Sequence, residues 1–517
     1  MAQVDDLPRT GVVPPELNKG LNPEQRRVML KLVATHDSFV LTGGPGTGKS
    51  EVIRRYFNWV SRRGITAGLF LQAIRLGLPQ AEAGARWVYG TTVQHLIGSN
   101  DYAVRRHRIS TAPNRVPIDT LGKRTELMVV VDECFLLFKK QADAMVTAVN
   151  KVFDCAPHLK TVRWIYIGDR AQNDPVGPLE PTIVESAHFQ LGVQRGAVVK
   201  RMPVMVLVQN MRCNIKWVTE LWRMMRAYKP RKNDTVTVDR RLMKMTLDTM
   251  HRYPRGVDRI RHPFDTVVIT YLKQRRTHWS RLATEQAVKL GRLGVCVSPC
   301  PVEPPKPNST VYKPAPDKVL PYATYTKVLA YVFEGATCRA TANINDGNGV
   351  PVVDNGDDVL ILKLPVAARA LAGVVTNFNL ASELPMESPM QVRVLKTGCR
   401  LDLLPTVIEC DGIYMYQYPV TWANTIHATQ GKTYKPEQHG KHALLDVMGA
   451  TRESMMVAMS RWAGSYFDSD EAEFLLVNYT MNPWPALKRS TKLPADDRFQ
   501  KAVATSEAKI LNARKKL

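Results

Sequence analysis

Leu41 to Ser50 read LTGGPGTGKS, a glycine-rich turn closed by Lys and Ser. The backbone N–H groups of such a loop can wrap a β-phosphate, because Gly43, Gly44, Gly46 and Gly48 permit the angles the turn requires; Pro45 and Thr47 complete it. Lys49 reaches the β/γ-phosphates and Ser50 holds Mg²⁺. Two further segments supply acids. The run ELMVVVDE ends in Asp132 and Glu133, where a carboxylate at the end of a buried parallel strand suits a second metal contact and Glu133 suits the polarising of water. The run WIYIGDRAQ ends in Gly168-Asp169, and Gln172 follows as a neutral amide able to sense a γ-phosphate or position water. Taken alone, Gly168-Asp169 equally suits an ordinary turn. Together the three segments suffice for a nucleoside triphosphatase that uses Mg²⁺.

These residues need a strand before the loop and a helix after it. SFVLT supplies the first and EVIRRYFNWV, with helically spaced apolar residues, the second. TAGLFL, LMVVVDE and VRWIYIGD are near-continuous apolar runs of the kind found in parallel strands buried on both faces. The expected organisation is a lead-in at 1–20, a first α/β domain at 21–200 and a second one starting at 201–295, where TVVIT at 266–270 is a strand. A Pro-rich linker and β-rich insertion occupy 296–418, the second domain resumes over 419–480, and 481–517 is a basic tail, either a terminal helix or a mobile arm. A basic, poorly periodic piece at 98–125 interrupts the first domain.

Composition narrows the partners. Seventy-one Lys and Arg against 47 Asp and Glu give the 517 residues a net charge of +24, which points to a polyanion, most commonly nucleic acid. Hydrophobic content of 44% describes a globular chain. The N-terminus has no secretory-type apolar core, and VLILKLPVAARALAGVV is broken by Lys363, Pro365 and Arg369. An intracellular protein without a membrane partner is the expectation, and eight scattered cysteines suit a reducing compartment.

The chain resembles the superfamily 1 helicases, most closely the group B motors that include RecD and Dda. LNPEQ (21–25), GGPGTGKS, VDE, GDRAQNDPV, NMR (210–212), TIHATQGKT (425–433) and VAMSR (457–461) stand in that family's order. The resemblance covers 21–290 and 419–465. It implies two RecA-like domains with ATP between them, a small 1B insertion at 98–125 that carries a strand-separating pin, and an SH3-like 2B insertion. It implies that Gln25 reads adenine, although Asn22 to Gln25 is also a good helix cap. Arg212 and Arg461 become arginine fingers reaching the γ-phosphate from the second domain, since an Arg fork neutralises charge spread over phosphoryl oxygens. Gln430 and Gly431 link nucleotide state to the strand-binding surface. Arg75, Thr92, His95, Thr425 and His427 fall at strand contacts. The implied partners are single-stranded nucleic acid and a fork duplex, DNA before RNA, with 5′–3′ stepping and a place in replication, viral or phage, whose protein partners the sequence leaves open.

The catalytic set is intact and the strand-binding set partly rewritten. Gln72-Ala73-Ile74-Arg75-Leu76-Gly77 replaces the family's TAPTGRAA, Gln94 stands at a His position, and Ala428 replaces a Lys. HATQGKTY also resembles RNA-virus superfamily 1 helicases, which LNPEQ and GGPGTGKS fit less well. The other alternative is a nucleotide-gated nucleic-acid-binding protein that does not unwind.

Overall fold

The computed structural model describes residues 13–35, 37–67, 72–77, 91–92, 126–154, 161–172, 180–191, 193–194, 197–198, 202–227, 260–304, 312–345, 351–365, 388–429, 432–467, 473–477 and 496–515. The chain divides into two units: 1–230 with 489–517, and 231–488.

The first unit is built on a six-stranded parallel sheet. Its order is Thr91–Thr92, Gln72–Gly77, Glu126–Val131, Thr161–Gly168, Phe39–Gly43 and Val204–Leu207. Strand side chains alternate between faces, so each apolar run feeds two cores. Val40, Val129, Val131 and Tyr166 pack into one layer; Phe39, Leu41, Val130, Ile165 and Ile167 pack into the other. Arg163 sits in the sheet at 1% exposure. Its guanidinium donates to the carbonyls of Lys31, Leu32 and Asp37, each at 3.1 Å. The positive fork thereby satisfies the carbonyl end of the helix Pro23–Ala34 and fixes the approach to the phosphate-loop strand.

Three expectations are corrected here. The helix after the phosphate loop runs on to Ala67, through the start of TAGLFL, and the described strand is Gln72–Gly77. The first unit does not stop at 200. Val204–Leu207 pairs in parallel with Phe39–Gly43, and the helix Lys216–Ala227 follows it within the same unit. The basic tail holds the helix Asp496–Lys515, which belongs to the first unit and inserts Phe499 and buried Val503 there.

In the second unit a four-stranded parallel sheet runs Asn424–Thr425, Thr266–Thr270, His442–Asp446, Glu473–Val477. Asp446, fully buried at the end of its strand, accepts from Arg275 Nε and Trp279 Nε1, both at 2.7 Å, and so ties the helix Lys273–Lys289 to the sheet. Two antiparallel sheets are described between 300 and 421. One runs Arg400–Leu403, Met390–Val394, Asp358–Lys363, Thr337–Ala340, Val420–Thr421; the other runs Lys313–Pro314, Cys300–Glu303, Ile413–Gln417, Thr406–Cys410. The Pro-rich stretch is therefore not only linker. Pro314 lies on an edge strand, where a missing N–H is tolerated, and Pro301 still accepts from Ala315 N at 2.8 Å. Among the described residues no helix is long and apolar enough to cross a membrane.

Candidate nucleotide and strand site

Four adjacent parallel strands of the first unit end at the same edge, and each carries one part of the site. Phe39–Gly43 leads into the phosphate loop, Glu126–Val131 into Asp132-Glu133, Thr161–Gly168 into Asp169, and Val204–Leu207 into Asn210 to Arg212. Carboxyl ends of parallel strands are where open α/β sheets bind ligands.

The loop is held from two sides. Gly46 has φ 74°, and a Cβ there would lie 2.8 Å from both the Arg212 Cβ and the Asn210 Oδ1. Gly48 has φ 84°, and a Cβ would meet Gln25 Nε2 at 2.3 Å. Both positions disfavour other residues by angle, and Gly46 also by space. Thr47 Oγ1 donates to Gly44 O at 2.9 Å. Lys49 opens the helix Lys49–Ala67, and its ammonium donates to Gly43 O at 2.8 Å and Gly44 O at 3.1 Å. Ser50 follows it in the first turn, half-buried.

Gln25 does two jobs at once. With Asn22 it forms a reciprocal capping box, Gln25 N donating to Asn22 Oδ1 at 2.9 Å and Asn22 N to Gln25 Oε1 at 3.1 Å. Its Nε2 donates to Thr47 O at 3.1 Å, so the cap also braces the phosphate loop. Asp132 is 7% exposed and accepts from Glu133 N at 3.2 Å. Glu133 takes a left-handed φ of 51°, which non-glycine residues seldom adopt, and starts the 3₁₀ turn Cys134–Leu136. Asp169 and Gln172 are buried together: Gln172 Nε2 donates to Asp169 Oδ2 at 3.3 Å and Gln172 N to Asp169 O at 3.0 Å.

Arg212 does not come from the second unit. It lies in the first, beside the loop it was expected to face from across a cleft, because Val204–Leu207 extends the first sheet. Sequence reasoning gave no role to three residues that brace this stretch. Asn210 Nδ2 donates to Pro45 O at 2.9 Å while its Oδ1 accepts from Arg212 N at 2.8 Å and Cys213 N at 2.9 Å. Met211 N donates to Gly46 O at 2.7 Å. Glu24 Oε2 accepts from Val208 N at 2.7 Å and Gln209 N at 3.1 Å, joining LNPEQ to the same stretch. The only signals in sequence were their positions inside LNPEQ and NMR.

The second unit welds its two motifs together. Tyr434 N donates to Arg461 O at 2.8 Å and Ala463 N to Tyr434 O at 2.9 Å, making TIHATQGKT and VAMSR neighbours. Arg461 is 3% exposed; its Nε donates to Val457 O at 2.9 Å and one terminal nitrogen to Ser460 Oγ at 2.8 Å. Lys432 forms an ion pair with Asp358 at 3.0 Å, and burial nevertheless holds its pKa below the usual lysine value. Thr425 pairs with Thr270 at the strand end. The His427 ring lies 5.9 Å from that of Tyr271, and burial keeps the imidazole pKa below its usual value, which favours the neutral form. Arg75 stands on Gln72–Gly77 opposite Val130, and Thr92 opposite Gly77. His95, Gln430, Gly431 and the 98–125 segment lie outside the described residues.

Comparison with known proteins agrees with this arrangement. The AAA domain family AAA_30 matches residues 20–226. The chain is 34% identical over 101 residues to the ATP-dependent RecD2 DNA helicase of Deinococcus radiodurans, covering 20% of this chain and 14% of that protein. It is 26% identical over 165 residues to the RecBCD enzyme subunit RecD of Mycolicibacterium smegmatis, 28% of each. The chain thus spans well under a third of either relative. Among solved structures, a study of DNA unwinding at forked double-stranded DNA by two Pif1 helicases gives a TM-score of 0.58 at 14% identity, covering 94% of this chain and 98% of that one. Pif1 from Bacteroides, in complex with ADP-AlF3 and single-stranded DNA, gives 0.56 at 15%, covering 94% and 97%. Residues 20–226 thus match the AAA domain family AAA_30, a stretch of the chain is similar to RecD proteins, and the fold is similar to that of the solved Pif1 helicases.

Proposed function

We propose that the protein is an ATP-dependent DNA helicase that steps 5′ to 3′ along one strand. The observation that carries this reading is the meeting of Lys49, Asp132-Glu133, Asp169-Gln172 and Arg212 at one edge of one sheet. That set suits phosphoryl transfer to water: a cation for the phosphates, a carboxylate to polarise water, and an amide and a guanidinium to read the γ-phosphate. Mg²⁺ fits the donors, because the Ser50 hydroxyl and the Asp132 carboxylate are hard oxygen ligands; the ion would neutralise phosphate charge there. Gln25 would read the base, and Gln430 and Gly431 would relay nucleotide state. Arg461 would act on transition-state charge.

DNA as the track rests on three supports: the +24 charge, the relative named as the ATP-dependent RecD2 DNA helicase, and the similar Pif1 structures, one solved with single-stranded DNA and one from a study of unwinding at forked double-stranded DNA. Arg75, Thr92, His95, Thr425 and His427 are the proposed strand contacts, and 98–125 the proposed pin. The test is ATP turnover with no nucleic acid, with single-stranded DNA and with single-stranded RNA, beside unwinding of 5′- and 3′-tailed duplexes. DNA should raise kcat severalfold, and only the 5′-tailed duplex should separate. Turnover that stays flat on every strand, with steep salt-dependent binding, would make the protein a nucleotide-gated binder instead.

A further inference from the structure

The helix Asp496–Lys515, remote in sequence, reaches the acid-bearing loops of the first unit from their apolar side. Phe135 sits in the 3₁₀ turn directly after Glu133 and is 2% exposed. Its ring rests on the backbone of Gly168, so closely that a Cβ on that glycine would be 2.7 Å from Phe135 Cδ2. Asp169 is the next residue. One ring therefore links the turn that follows Asp132-Glu133 to the strand end that precedes Asp169. Two other rings pack against it: Phe189 at 5.9 Å between centroids, edge to face, and Phe499 at 5.3 Å. Phe499 also lies 5.8 Å from Phe189, which packs edge to face on Tyr166 at 5.2 Å.

We propose that Phe499 is a positioning residue of the nucleotide site, holding Phe135 against Gly168 so that the Asp132-Glu133 and Asp169-Gln172 turns keep their spacing. Protein interiors are close-packed, so a ring removed from one side of Phe135 leaves space into which Phe135 relaxes, away from Gly168. Neither turn has slack to absorb that shift: Glu133 already holds a left-handed backbone, and Gln172 is bonded to Asp169 through both backbone and side chain. The link to catalysis rests on the proposed ATPase; the link to loop geometry does not.

Two measurements on the full chain separate these links. The first is hydrogen exchange at the amides of Leu136, Leu137 and Gln172, which bond to Glu133, Cys134 and Asp169 carbonyls in the two turns. Phe499→Ala should speed exchange at all three by about tenfold, as expected when local opening becomes easier, while Phe499→Tyr, which keeps the ring, should not. The second is steady-state ATP turnover. Phe499→Ala should lower kcat about tenfold with KM within about twofold, because misplaced groups lose transition-state contacts first. If the Ala variant does not fold, Phe499→Leu carries both tests with smaller changes of the same sign. A lower Tm with unchanged exchange at these amides and unchanged kcat would overturn the proposal and leave Phe499 as packing alone. Wild-type protein without ATP turnover would overturn the ATPase reading, while the exchange result would still decide the positioning role.

Discussion

The side chain of Asn210 is bonded to Pro45 inside the phosphate loop, Nδ2 to carbonyl at 2.9 Å, while its other end accepts the backbone N–H of Arg212. One amide thus sets the distance between the loop and its arginine. Asn210→Ala should cut kcat by about 10–100-fold, the range seen when a reacting geometry loosens, with a smaller change in KM. Asn210→Asp keeps the acceptor and loses the donor, so it should fall between. Equal kcat in all three proteins, measured by steady-state hydrolysis, would remove the link.

Lys49 rests on the carbonyls of Gly43 and Gly44, within the loop whose ligand it is built to meet. Lys49→Ala should abolish hydrolysis and weaken nucleotide binding by about tenfold or more, since a charge-assisted contact to phosphate is lost. Titration with a fluorescent nucleotide reads the affinity directly.

Glu133→Gln should bind ATP normally and turn over about 100-fold slower, in the range that loss of a general base produces. The amide keeps the size and the unusual backbone of the residue. Near-normal turnover would move the base to another residue.

Arg461→Ala should lower kcat by up to ~10³-fold with little change in nucleotide affinity, as for residues that act on transition-state charge. Arg461→Lys should recover little of it. A lysine cannot reproduce the bonds of the guanidinium to Val457 O and Ser460 Oγ. A raised KM with intact kcat would make Arg461 a binding residue instead.

His188 predicts a pH effect on the first unit. Burial pulls its pKa down to about 4, and its Nδ1 lies 2.9 Å from the Tyr166 hydroxyl. The unfolded chain takes up that proton near the ordinary histidine value of about 6.5, so the unfolded state binds more protons between there and 4. Stability is full above about 6.5 and falls as pH drops towards 4, by about 3 kcal/mol in order of magnitude. His188→Gln should flatten that part of a Tm-versus-pH curve, and a parallel curve would show that other groups carry it.

The phosphate loop, the two acidic turns and the parallel core were legible because each is short-range. A glycine pattern, an apolar run and its terminal residues lie together in sequence. Arg212 was identified as a site residue but assigned to the wrong unit, since its placement depends on which sheet Val204–Leu207 joins, and a four-residue strand does not encode its partner. Asn210 and Glu24 were missed for a related reason. Their work is bonding to backbone 165 and 184 positions away, which no local pattern announces. The tail reads as either a terminal helix or a mobile arm because its charge dominates its composition; the helix is what forms, and two apolar side chains, Phe499 and Val503, pack it into the first unit.

The first unit is discontinuous in the chain: its sheet is finished by Leu207, but its last helix begins only at Asp496, after the whole second unit. A ribosome adding about 5–20 residues per second therefore takes some tens of seconds between the two. Throughout that interval the nascent first unit presents Phe135 and Phe189 without Phe499 over them, an uncapped aromatic surface open to chaperones and to other nascent chains. Completion of the first unit thus waits on the emergence of a single helix made after the second unit.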